Sequence, residues 1–275
     1  AYRASLDAAL SAGESVLRSG GSSLDAVEAS VRVLEDDPMF NAGRGSVLTR
    51  AGECELDASI MDGRTLGCGA VAGVRTVKNP ISFARRVMQE TPHVLFTGSG
   101  AEGLAETMGV ERVEPSYFIT PRRRQQLEKK LRDQELTDAS QGTVGCVAID
   151  TCGNIAAATS TGGMTAKIPG RVGDSPIIGA GCYANNLTLG VSCTGTGEQF
   201  IRNAAAHELS SLVRYRGLSL EAAARTVLTE RLDIDDGGLI AIDRNANVVM
   251  MTTTGCMPAA CSDWRGRREF RMWDE

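Results

Sequence analysis

Short apolar runs recur along this chain at residues 69–74, 144–149, 155–158, 177–180 and 239–242, several of them joined by glycine or asparagine turns. Each is too short for an independent helix and long enough to cross a sheet, so each is predicted to be a strand. The run Val-Ala-Ile-Asp-Thr-Cys-Gly-Asn-Ile at residues 147–155 reads as a hairpin. Around the strands lie stretches with the period of a helix. Leu24, Val27, Val31 and Leu34 recur at helical spacing behind Ser22 and Ser23, both good N-cap types, which predicts an amphipathic helix ending near Asp36. An earlier helix is expected over residues 5–18, set apart by Gly20 and Gly21. Two more are expected at 198–215 and 219–232, the second with a serine cap. Strands and helices with one apolar face must bury those faces against one another, so the chain is expected to form sheets covered by helices.

One strand carries a chemical possibility at its head. In Gly142-Thr143-Val144-Gly145 a threonine stands where an apolar strand begins. A threonine hydroxyl is a poor nucleophile until a placed base takes its proton, and a free amine on the same residue can be that base. Such an amine titrates near ~7.7–8.0. Thr143 is internal, so this reading requires scission of the Gly142–Thr143 bond, most simply by attack of the threonine's own hydroxyl on the preceding carbonyl. Gly142 suits that step, since without a Cβ it tolerates strain and leaves the carbonyl open. The alternative for these four residues alone is an ordinary strand entry.

Composition narrows the partners. With 275 residues, 42% of them hydrophobic, the chain can bury a substantial core as one large domain or two small ones. A net charge of −5 argues against nucleic acid or an anionic membrane as the main partner and favours a small solute. No apolar run approaches the roughly 18 residues of a membrane span, and the opening AYRASLDAAL lacks the pattern of a secretory signal, so a cytoplasmic location is expected. The eight cysteines are scattered without a CxxC pair and read as free, mostly buried thiols. With only His93 and His207, a His-rich zinc site or a Ser-His-Asp triad is disfavoured, which points to a base other than histidine. Residues 121–140, PRRRQQLEKKLRDQELTDAS, read as a solvated helix followed by a linker. Mobility there would let new chain ends at Gly142 and Thr143 separate.

The stretch GTVGCVAIDTCGNIAAATSTGGMTAKIPGRVGDSPIIGAGCYANN, from residue 142, resembles the asparaginase and isoaspartyl aminopeptidase family of N-terminal nucleophile hydrolases. Further matches lie upstream, VLEDDPMFNAGRGSVLT at 33–49 and LDASIMDG at 56–63, and downstream, CTGTGE at 193–198 and GGLIAID at 237–243. Several long matches in order are more specific than any short pattern. The resemblance implies an α+β fold, a four-layer αββα sandwich. It also implies one hydrolase domain over residues 1–275 that cleaves itself into 1–142 and 143–275, and a dimer of the resulting αβ pairs.

It further implies roles for particular residues. Thr143 is the nucleophile, and the Thr161 hydroxyl orients it. Arg171 and Asp174 carry opposite charges suited to the α-carboxylate and α-amine of one amino acid, since an arginine fork grips a carboxylate through two bonds and an aspartate accepts from an ammonium. A small zwitterion cut at its side-chain amide follows; the plain alternative is that the two residues pair with each other at a loop. Thr194 and Gly195 match the oxyanion donors, Gly197 the wall that receives the amine, and Asn41 an amide assisting oxyanion binding or self-cleavage. The segment 34–44 resembles a loop that holds a structural sodium ion through the carbonyls of Leu34, Glu35, Asp37, Phe40, Ala42 and Arg44. No organic cofactor is implied.

The expected activity is hydrolysis of L-asparagine and of β-aspartyl dipeptides. A glycosylasparaginase and a threonine endopeptidase cutting after aspartate are related alternatives, although the first usually has Asp before its threonine, where this chain has Gly142. A different class, an unprocessed inactive scaffold, is suggested by one departure: the family opens with an apolar strand and a His-Gly-Gly turn, whereas these residues begin inside a helix pattern, as expected of a fragment.

Overall fold

The computed structural model describes residues 2–133 and 142–272. In chain order its first part contains α1 (Tyr2–Arg18), α2 (Ser23–Asp36), β1 (Leu56–Asp62), β2 (Cys68–Val74), α3 (Pro80–Glu90), β3 (Leu95–Thr97), α4 (Gly98–Thr107) and α5 (Pro121–Asp133). The second part contains β4 (Val144–Ile149), β5 (Ile155–Thr161), β6 (Cys182–Ala184), β7 (Leu189–Gly195), α6 (Gly197–Arg202), α7 (Ala205–Arg216), α8 (Leu220–Thr226), β8 (Gly237–Asp243), β9 (Val248–Thr252), β10 (Ala259–Ser262) and β11 (Arg268–Arg271). The linker expected after α5 falls on residues 134–141, outside those described.

A five-stranded sheet runs β3-β2-β1-β5-β4 and a four-stranded one runs β6-β7-β8-β9. Among the described strands only β2 and β3 pair parallel; the other ladders are antiparallel. The sheets meet through β4 and β5 against β7, with Met61, Ile155, Ala157, Cys182 and Ala184 buried between them. Helices α2 and α3 cover the first sheet, and α7 and α8 the second. The architecture is therefore mixed helix and sheet, with an apolar layer on each helix-covered face. Gly145 allows the close approach of β4 to the second sheet, since a Cβ there would overlap the Ser192 hydroxyl.

Local chemistry explains most boundaries. Ser22 caps α2 in a reciprocal box with Asp25. In the β4–β5 hairpin, Asp150 Oδ1 accepts the amides of Cys152 and Asn154 while Gly153 takes a positive φ of 77°. Two expectations need correction. Residues 177–180 form turns rather than a strand, because Gly179 has a φ of +91° and the Gly179 and Ala180 carbonyls face α7 instead of a neighbouring strand. The helix expected over 198–215 is broken at Ala204, at φ 44°, since the first amides of α7, those of Ala206 and His207, bond to those same two carbonyls at 3.2 and 2.8 Å. The following helix starts at its Ser219 cap and passes at Val227–Arg231 into a wider π turn.

Candidate active site

Val144 pairs with Ser160 in the β4–β5 ladder, so the next residues outward, Thr143 and Thr161, stand side by side at the open end of the hairpin. Their hydroxyls are 3.0 Å apart, with Thr143 donating, and Thr161 Oγ1 also accepts the Gly163 amide at 3.1 Å. Thr143 is partly exposed and Thr161 buried, so the pair forms the floor of a cleft whose walls include Arg171, Asp174, Gly195 and Thr196.

Asn41 lies behind this floor, buried, and is fixed on several sides. Its Nδ2 donates to the Gly163 carbonyl at 2.7 Å, its Oδ1 accepts the Val47 amide at 2.9 Å, and its carbonyl accepts the Gly162 amide at 3.0 Å. Its own backbone amide donates to the Gly142 carbonyl at 3.1 Å. That contact polarises the carbonyl which self-cleavage would attack, so here Asn41 faces the Gly142–Thr143 bond through its backbone rather than its side chain. Gly142 must be small, because a Cβ would stand 2.7 Å from that of Asn41.

Arg171 does not pair with Asp174. It is gripped in bidentate fashion by Glu198, with Nε and Nη2 at 2.9 and 2.8 Å from the two carboxylate oxygens. This bond holds Glu198 below the usual carboxylate range. Gly173 and Gly197 make room for the guanidinium: a Cβ on either would come within 2.9 Å of it, and one on Gly197 would equally meet Asp174 Oδ1. Asp174 is buried, and its Oδ2 has no hydrogen-bond partner among the described residues. Burial pushes its carboxyl up to about 7, against the pull of its own backbone amide and of Arg171. A buried carboxylate oxygen without a donor, beside a cleft, is suited to an incoming ammonium.

The other expected donors lie at the end of β7. Gly195 lines the cleft, while Thr194, opposite Gly238 in the β7–β8 ladder, is one residue further inside. Sequence reasoning passed over Thr196, Ser175 and Gly163, which also line the cleft, and the Glu198 partner of Arg171. Glu198 lies within the matched CTGTGE run, but it is 27 residues from Arg171 and nothing in the sequence joins the two.

Other nucleophiles are poorly placed. Burial raises the Cys146 and Cys182 thiols to about 11 and that of Cys54 to about 12. Both histidines are exposed, His93 against Phe96 and His207 against Tyr183.

The 34–44 segment closes on itself through the Arg44 amide, which donates to the Glu35 carbonyl at 2.7 Å, and Asp37 accepts from Phe40 at 3.2 Å. Leu34 has Pro38 four residues on, which has no amide to give. Among the described residues the carbonyls of Leu34, Phe40, Ala42 and Arg44 accept no hydrogen bond, so this loop has the oxygen-rich character that suits a hard monovalent cation. No cluster of three His, Cys, Asp or Glu able to hold a metal occurs among the described residues.

A family model described as asparaginase matches residues 1–271. An isoaspartyl peptidase of Salmonella typhimurium is 50% identical over 261 residues, covering 90% of this chain and 83% of its own length. An isoaspartyl peptidase of Escherichia coli is 50% identical over 265 residues, covering 92% and 83%. An isoaspartyl peptidase/L-asparaginase of Mus musculus is 46% identical over 254 residues, covering 90% and 78%.

Proposed function

The chain belongs to the asparaginase family of hydrolases, and we propose on that premise that it cleaves the side-chain amide of L-asparagine and the β-aspartyl bond of isoaspartyl dipeptides. The observation that carries the reading is the Thr143–Thr161 hydroxyl contact of 3.0 Å on the floor of a cleft that also holds Arg171 and Asp174. The substrate α-carboxylate meets Arg171 and its ammonium meets Asp174, which leaves the side-chain carbonyl to reach Thr143.

The Thr143 nucleophile is first exposed by its own chemistry. Its hydroxyl attacks the Gly142 carbonyl, whose oxygen is held by the Asn41 amide; the C–N bond breaks, and water hydrolyses the resulting ester to leave a Gly142 carboxylate and a Thr143 amine. In turnover that amine takes the hydroxyl proton as the oxygen attacks the substrate carbonyl. Thr194 and Gly195 donate to the oxyanion, a contribution on the order of 3 kcal/mol per donor. The proton passes to the departing nitrogen, which leaves as ammonia or as the amine of an amino acid, and water then releases aspartate from the acyl-threonine.

The same reading assigns a four-layer αββα sandwich, supported by the two sheets in contact and the helices on their outer faces. The mature unit is one domain divided into 1–142 and 143–275, and two such pairs form the dimer that the family resemblance supports. Sodium bound by the 34–44 carbonyls would tie the end of α2 to the segment carrying Asn41. A reducing compartment such as the cytoplasm fits the free thiols of Cys54, Cys68, Cys146, Cys152, Cys182, Cys193 and Cys261. Turnover of asparagine, a β-aspartyl dipeptide and an α-aspartyl dipeptide tests the assignment: the first two should be cut and the third spared, and cleavage of the α-linked peptide alone would refute it.

A further inference from the structure

Directly behind the cleft wall, the buried side chains of Lys167 and Asp57 face each other at 4.0 Å, with 1% and 0% of their surface exposed. Removing both charges from water is costly, and such pairs are weak evidence for stability. Burial pushes Asp57 up and Lys167 down, each opposed by the other's charge. Their remaining contacts show what the arrangement fixes.

Lys167 Nζ donates to the Glu55 carbonyl at 2.9 Å, which ties the segment after β5 to the entry of β1. Asp57 Oδ1 accepts the Gly73 amide at 2.8 Å, while its Oδ2, turned toward the lysine, has no hydrogen-bond partner among the described residues. The lysine stem runs against Gly163: a Cβ there would lie 2.9 Å from Cδ and 3.0 Å from Nζ. Gly163 is the residue whose amide bonds Thr161 Oγ1, and Asp57 is the residue directly opposite Thr161 in the β1–β5 ladder. The pair thus brackets, from two sides, the hydroxyl that accepts from Thr143. Between Gly163 and Lys167 the turn is held against backbone preference, since Ala166 has a φ of 61°.

We propose that Lys167 and Asp57 are positioning residues for the hydrolysis: their buried pairing clamps the 162–167 turn onto β1, so that the Gly163 amide and the Thr161 hydroxyl hold the Thr143 hydroxyl in line for attack. This rests on the reading of Thr143 as nucleophile. The two charges also reach Arg171 and Asp174, where their opposite signs oppose each other, so when both are removed together the loss belongs in kcat and in self-cleavage, with KM spared.

Two variants of the full chain test this. Lys167→Gln keeps a donor for the Glu55 carbonyl but removes the charge. The double variant Lys167→Met, Asp57→Asn removes both charges, leaves none unpaired and keeps an acceptor for the Gly73 amide. Self-cleavage is followed by intact mass, and kcat and KM for asparagine are expressed per Thr143 amino terminus, with thermal melting as the control for folding. In whichever variant folds, kcat per cleaved site should fall tenfold or more and self-cleavage should slow, and in the double variant KM should stay within twofold. A smaller loss of kcat, or a loss carried by KM, overturns the proposal. A wild-type chain that forms no Thr143 amino terminus and turns over neither substrate would instead overturn the functional reading beneath it.

Discussion

Asp174→Asn should weaken activity and strengthen the fold in the same protein, because the group assigned to receive the substrate is one the fold finds hard to keep charged. Burial lifts this carboxyl from 3.8 to about 7. The native state therefore keeps a proton that the unfolded chain releases, so the contribution of Asp174 to stability is fully present below pH 3.8 and is lost as pH rises to about 7. A displacement of that size corresponds to roughly 4 kcal/mol as an upper bound. Asparagine cannot ionise and escapes this loss, although its amide hydrogens need partners that offset part of the gain. Melting above neutral pH should accordingly rise. In activity the direction reverses: removing one partner of a buried charge pair costs about 2–5 kcal/mol, so kcat/KM for asparagine should fall about thirtyfold or more. The wild type should lose kcat/KM on acidification through about pH 7, since only ionised Asp174 accepts the ammonium. Once bound, that ammonium keeps Asp174 ionised, so kcat should show only the limb of the Thr143 amine. Steady-state kinetics across pH, paired with thermal melts, read both effects. A variant that melts lower than wild type above neutral pH, or that keeps its kcat/KM, would refute the reasoning.

Arg171→Lys keeps the charge but loses the fork that Glu198 grips, so KM for asparagine should rise at least tenfold while self-cleavage proceeds; an unchanged KM would remove Arg171 from substrate binding. Thr161→Ala should slow both self-cleavage and turnover by about a hundredfold, on the scale of losing one donor or acceptor at the reacting centre, as read by fragment formation and kcat. Gly145→Val places a side chain where the Ser192 hydroxyl lies and should cost about 1–3 kcal/mol in chemical denaturation, the usual price of overpacking.

The parts of the fold legible in the sequence are those whose causes are local. The β4–β5 hairpin follows from two apolar runs joined by Asp150 and Gly153, and the start of α2 from Ser22 with Asp25 three residues on. The break in the helix at Ala204 was hidden because the carbonyls that satisfy the amides of α7 come from Gly179 and Ala180, on a different segment. The same holds at the site. That Thr143 heads a strand is plain from the apolar residues behind it, but its neighbour Thr161 follows from strand register, which family resemblance supplied. Lys167, in the run Thr-Ala-Lys-Ile-Pro, carries no mark of burial in the sequence; only the packing of Gly163 and Asp57 around it reveals a buried cation. Glu198 likewise looked like the first turn of a helix, and became the partner of Arg171 once the loop at 170–174 folded over it.

The central claim is that one hydroxyl both opens the chain and performs the hydrolysis, and the mass of the purified protein tests it most directly. The wild type should resolve on standing into two fragments, the second beginning at Thr143, with asparaginase activity rising in step. Thr143→Ala should remain whole and inactive, and Thr143→Ser should keep part of both functions, because its hydroxyl remains while the β-methyl that restricts the rotamer is lost. A wild-type chain that stayed whole and still hydrolysed asparagine at full rate would contradict the account, since an internal threonine has no free amine to serve as its base.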